Sequence, residues 1–151
     1  MKLTKEKLFL LQIQKIDKII ANKRIEIQQL KELVSSATGD LTGEKVQSTP
    51  NPHRIAEAIA KYVDLEKEIN EDIDRLIDAR RDIISVIEQL NAVEYDVLHK
   101  LYVQNITFQD IATIYDMSYS WATTVHGRAL KHVRKILDDR EEITLEQESR
   151  Q

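Results

Sequence analysis

The sequence predicts an all-α protein: a long antiparallel helical hairpin, coiled-coil-like, followed by a C-terminal domain of three helices. Two long apolar seams repeat at helical spacing, and three polar residues stand where helix N-caps belong. Only three glycines and two prolines interrupt 151 residues. Charged residues make up 32% and aromatic residues 5%, a balance that suits exposed helix more than a bulky core.

In the first seam, Phe9, Ile13, Ile16, Ile20, Ile27, Leu30 and Val34 step by three and four, with Lys23 as the polar break. A second seam runs through Ile55, Ile59, Tyr62, Ile69, Ile73, Leu76, Ile83, Ile87 and Leu90. Glu66 and Arg80 interrupt it, and Leu65, Ile77 and Ile84 widen it. Between the seams, residues 35–53 are rich in Ser, Thr, Gly and Pro and read as a flexible connection. Folded back antiparallel, seam positions whose numbers sum to 89 pair, which sets Lys23 against Glu66. A paired charge in a seam costs less than a lone one, so this register favours an intramolecular hairpin over residues 1–90. The alternative is parallel self-association through either seam, with Lys23 reaching to water. The wider face at Leu65, Ile77 and Ile84 also suits a homodimer of hairpins.

Three capping positions divide residues 91–137 into short helices. Asn91 precedes Glu94 by three, Thr107 precedes Asp110 by three, and Ser118 opens the last stretch. Val97, Leu98, Leu101 and Tyr102, then Ile111, Ala112 and Tyr115, then Ala122, Val125, Ala129, Val133 and Ile136 supply a shared core. The small Ala112 and Ala122 let the second and third helices cross closely, as in a helix-turn-helix. That buried set turns Tyr119, Ser120, Thr123, Thr124, Gly127, Arg128 and Lys131 outward. Hydroxyls and a guanidinium are the groups that address base edges and phosphates, so Thr107, Ser118, Tyr119, Ser120, Thr123, Thr124, Arg128 and Lys131 are the candidate DNA-binding residues. A small polar bundle with an ordinary solvated face is the competing reading. Gly127 costs about 1 kcal/mol against alanine in mid-helix, which marks it as a point where another backbone comes close. Trp121 lies between the two faces, and packing against a neighbouring helix is its expected role.

Enzymatic chemistry finds no support. His53, His99, His126 and His132 form no ligand or base motif, no glycine-rich phosphate loop is present, and with no cysteine thiol chemistry is excluded. No cofactor or metal is expected. The carboxylates of residues 64–82 are spaced as the wet face of a helix.

The segment from Leu90 to Leu137 resembles region four of bacterial sigma factors. LNAVEYDVL is similar to its leading helix, TFQDIATIYDMS to the Thr-x-x-x-Ile-Ala scaffold, and VHGRALKHVRKIL to its closing segment. With the two seams upstream, the whole chain resembles the ArpU/RinA-like late transcriptional regulators of Gram-positive phages. That resemblance implies a sequence-specific activator of phage late genes that meets double-stranded DNA and host RNA polymerase. Two positions depart from the pattern: Asp116 stands where the tight turn usually has glycine, and Tyr119, Ser120, Thr123 and Thr124 replace charged or amide residues. Promoter specificity is therefore not carried over. A phage small terminase or packaging adaptor, and a region-four mimic that holds polymerase without DNA, are the rival readings.

The formal net charge of −4 is unevenly spread. Residues 1–34 carry eight basic and four acidic side chains, residues 54–90 six and ten, and the acidic tail 138–151, expected to be disordered, two and six. Residues 118–137 hold Arg128, Lys131, Arg134 and Lys135 with no acid. Salt screens charges beyond roughly 8–10 Å, so a locally basic helix can meet phosphate in an acidic protein. The first residues hold no apolar run long enough for a membrane span or signal core, and the expected location is cytoplasmic.

Overall fold

The computed structural model describes residues 3–39 and 52–151, all of whose regular structure is helical. Two long helices, α1 (Lys5–Gly39) and α2 (Pro52–Ile87), precede α3 (Ala92–Leu98), α4 (Phe108–Ile114) and α5 (Tyr119–Ser149). A π-helical turn, His99–Val103, extends α3. No helix among the described residues is long and apolar enough to cross a membrane. Of the expected connection 35–53, residues 35–39 end α1, 52–53 begin α2, and the rest lies outside the described residues.

The chain forms two compact units, residues 17–77 and residues 1–16 with 78–151, a division that differs from the expected boundary at residue 90. In the first unit the hairpin partners bury Ile20 and Ile73, with Ile27, Leu30, Val34, Tyr62, Leu65, Ile69 and Leu76 half-buried. Its register differs from the one the sequence suggested. Lys23 pairs with Asp72, Nζ to Oδ2 at 3.3 Å, and not with Glu66. The numbers of this pair sum to 95, within one residue of a full heptad slide to 96, at which Ile20 is set against Leu76, Ile27 against Ile69 and Val34 against Tyr62. Glu66 is satisfied within its own helix by the Tyr62 hydroxyl one turn earlier, and this bond first, burial second, pushes the phenol up to about 12. The matched polar breaks were thus a coincidence of heptad arithmetic.

In the second unit the start of α1 and the end of α2 contribute Leu10, Ile13, Ile16, Ile83, Val86 and Ile87 to the core, alongside Val97, Leu98, Ile111, Val125 and Val133. Leu10 and Val86 lie beside the stripes read from the sequence, because both helices are covered on more than one side here. The acidic end, expected to be disordered, is helical to Ser149. Three of its charged residues have partners far away in sequence: Lys5 Nζ lies 3.1 Å from Asp138 Oδ1 and 2.5 Å from Glu141 Oε1, and Arg140 reaches Asp82 at 3.0 Å. Asp138, Glu141 and Asp82 thus meet cations that no local pattern predicts.

The hairpin register is open to a double-mutant cycle. Lys23→Ala and Asp72→Ala should couple by up to about 1 kcal/mol in denaturant unfolding, the range for a partly exposed ion pair. Lys23→Ala and Glu66→Ala should be additive; coupling confined to Glu66 would restore the other register.

Candidate nucleic-acid interface

Each helix of the C-terminal trio begins where its cap stands. The Asn91 side chain accepts from Glu94 N at 2.9 Å, Thr107 from Asp110 N at 3.2 Å, and Ser118 from Trp121 N at 3.0 Å. Caps of this kind contribute about 1 kcal/mol each, which matters for α3 and α4, too short to persist alone. Asp116 closes the turn between α4 and α5 with φ 53°, the left-handed conformation expected where glycine is usual, and Met117 N bonds back to Ala112 O at 2.9 Å. Asn105 takes the same conformation, φ 59°, after the π-helical turn, and its side-chain oxygen accepts from Gln14 Nε2 at 3.0 Å.

The face of α5 that packs inward is Ala122, Val125, Ala129, Leu130, Val133 and Leu137, all buried. Ala122 and Val125 share one core cluster with Val97, Ile111 and Ala112. Trp121 packs against this cluster with its ring 5.0 Å from that of Tyr115, the helix-packing role expected for it. Tyr115 in turn donates its hydroxyl to Asp96, which also holds Lys100 at 2.6 Å. Burial pushes the Asp96 carboxyl up, but these two hydrogen bonds outweigh it and hold the group below its ordinary value.

Opposite this buried face, Tyr119, Ser120, Thr124, Gly127, Arg128 and Lys131 are exposed and Thr123 is half-buried. The candidate residues of α5 therefore share one side of the helix, with the capping residues Thr107 and Ser118 exposed at the starts of α4 and α5. Both caps use their oxygen as an acceptor, so their hydroxyl protons remain available to a phosphate. Tyr119 stands edge-on to Phe108, ring centres 6.0 Å apart, which braces the phenol outward. Arg128 and Lys131 form no ion pair with a described residue. Arg134 differs, because Asp138 lies 3.3 Å away and Glu6 3.5 Å away, so it is spent within the protein. A family-model scan and searches of curated proteins and solved structures found no match to this chain.

Sequence reasoning missed two polar anchors behind this face. Glu94, read only as a capping partner, is buried, and its Oε2 accepts from His132 Nδ1 at 2.7 Å. Tyr102 and His126 meet at 2.8 Å between the phenol oxygen and Nε2, with Phe108 edge-on to the imidazole at 5.1 Å. Burial, with Lys7 nearby, pushes His126 down to about 4, and burial pushes Tyr102 up to about 12. A neutral imidazole and a phenol that keeps its proton make this a hydrogen bond between two uncharged groups. A His-to-Tyr spacing of 24 residues across helices carries no sequence signal. Gly127 corrects a further expectation: beyond its own helix turn, a Cβ there meets no atom of the described residues within 4 Å, so no other described backbone approaches it.

Two outcomes follow for the free protein. Between pH about 6.5 and about 4 the unfolded chain binds a proton at His126 that the folded chain refuses, so stability is full above that window and declines as pH falls through it. The decline should not exceed about 1.4 kcal/mol per pH unit from this group, and His126→Gln should flatten that part of a thermal-melt series. Asp96 and Asp138, whose carboxyls lie below their ordinary value, lose their contribution only at lower pH. Gly127→Ala should raise stability by about 1 kcal/mol, since the helix gains propensity and the methyl meets open space; a lower melting temperature would mean the site is not open.

Proposed function

We propose that this protein is a non-enzymatic, sequence-specific DNA-binding regulator of transcription that lays the exposed side of α5 in the major groove. The observation that carries the reading is the division of α5 into a buried row, Ala122, Val125, Ala129 and Val133, and an outward set of hydroxyls with two cations, Arg128 and Lys131, that form no ion pair with a described residue. Such a face offers donors and acceptors for base edges with positive charge for phosphate, and it is poorly suited to packing against another helix. The short α4, crossing α5 through Ala112 and Ala122, is the support a recognition helix needs. Action in the bacterial cytoplasm on phage late genes, as the resemblance to the ArpU/RinA-like regulators implies, is part of the proposal.

A second reading has an observation of its own. Ile114 and Met117, at the end of α4 and in the following turn, are 57% and 49% exposed, and apolar side chains there suit a protein surface such as that of RNA polymerase. Binding to polymerase that ignores salt, without DNA affinity, would favour that reading.

Arg128 separates the modes of DNA contact. If it reads a base, Arg128→Ala should cost about 1–3 kcal/mol on the specific site and relax preference at one position; a phosphate contact should weaken all sequences alike. With so few free cations the salt dependence should be shallow, each neutralised phosphate adding about −0.9 to the slope. If a variant with Tyr119, Thr123, Thr124 and Arg128 all changed to alanine kept its fold by circular dichroism and bound DNA as the parent does, the recognition-helix assignment would be wrong.

A further inference from the structure

We propose that Thr123 and Thr124 recognise DNA through their methyl groups, which makes the 5-methyl of thymine the feature this helix selects; the inference rests on the DNA-binding reading above. Both hydroxyls are already committed. Thr123 Oγ1 lies 3.0 Å from the carbonyl oxygen of Ser120, and Thr124 Oγ1 lies 2.8 Å from the same oxygen. A carbonyl can only accept, so both hydroxyl protons point back along the helix and neither is left to donate to a base.

Fixing Oγ1 also fixes the rest of each β-branched side chain, because one χ1 setting places oxygen and methyl together. What the two threonines, Thr124 exposed and Thr123 half-buried, have left for a base is therefore their methyls and the spare lone pairs of two oxygens. Each base pair can be asked what it offers such a surface. Guanine presents acceptors at N7 and O6, which meet no donor from either threonine. Adenine offers its N6 amino group, which a threonine lone pair can accept, and thymine offers the one apolar group of the major groove. Both features favour A·T pairs. Arg128, one turn beyond Thr124, keeps its donors and forms no ion pair with a described residue, so guanine or phosphate contact is assigned to it. Gly127 lies on the same side between them, with open space where its Cβ would be, and this lets a base edge come close enough for methyl contact.

The test uses the full chain and a pool of random DNA duplexes from which bound sequences are recovered. The best duplex is then made again with deoxyuridine for thymidine, which removes the methyl and keeps the pairing. The parent should bind the uracil duplex about fourfold more weakly for each thymine methyl contacted, the worth of one buried methyl-sized group. A variant with Thr123→Ser and Thr124→Ser keeps both bonds to Ser120 and lacks the methyls; it should lose a similar factor and no longer distinguish thymine from uracil. Thr123→Val with Thr124→Val keeps the methyls, and should keep the distinction. Equal binding of thymine and uracil duplexes by the parent overturns the inference while leaving DNA binding intact, and so does a serine variant that still distinguishes them. A valine variant that stays helical yet loses the distinction would assign recognition to the hydroxyls, with the same result. Recovery of no duplex from the pool would overturn the DNA-binding reading and this inference together.

Discussion

Burial of Ala122 and Val125 against Val97 of α3 and Ile111 and Ala112 of α4, in a buried row that Ala129 and Val133 continue, is the constraint from which the rest of the C-terminal geometry follows. Helical spacing leaves little freedom once that row faces inward: Leu130 joins the buried side, His126 is half-buried, and the residues turned out include hydroxyls, a glycine and two cations. Alanine at 112 and 122 sets how near the helices come, and a larger side chain at either would force them apart. A cluster this small tolerates little rearrangement, since protein interiors are packed as densely as organic crystals.

The helices of this domain were legible because each is opened by a residue whose side chain has one local task. Asn91, Thr107 and Ser118 each bond the backbone three residues on, an interaction written within four positions of sequence. The hairpin register was not legible in the same way. A heptad pattern repeats, so a slide of one repeat preserves most apolar matches, and the polar breaks are left to discriminate; those of this chain fitted a register that Lys23 does not adopt. The acidic end was misread for a related reason. Asp138, Glu141 and Arg140 are held by Lys5 and Asp82, partners that only the fold brings near. Of the candidate site, the side of α5 was readable from periodicity, but the direction of two threonine protons was not, because a back-bonded and a free hydroxyl have the same sequence.

Charge in this protein is local in its effects. Four basic residues stand between 118 and 137 without an acid in the sequence. Arg134 is nonetheless drawn to Glu6 and Asp138, whereas Arg128, Lys131 and Lys135 are exposed and form no ion pair with a described residue. The ion pairs of Asp138 and Glu141 thus hold Lys5 and Arg134 while leaving those three cations of α5 open to solvent.

The π-helical turn at the end of α3 bears on how the length of this chain can vary. Gln104 N reaches His99 O at 3.0 Å, five residues back, so this turn holds one residue more than an α-helix would place there. Losing a residue between 99 and 103 would return the backbone to bonds four residues apart and leave Val97 and Leu98 in phase. The same loss within Ala92–Leu98 would rotate everything before it by about 100° around the helix axis. An alignment of chains that share this fold but are one residue shorter should therefore open its gap at the turn, and the tyrosine that reaches His126 is the side chain such a gap would put out of place.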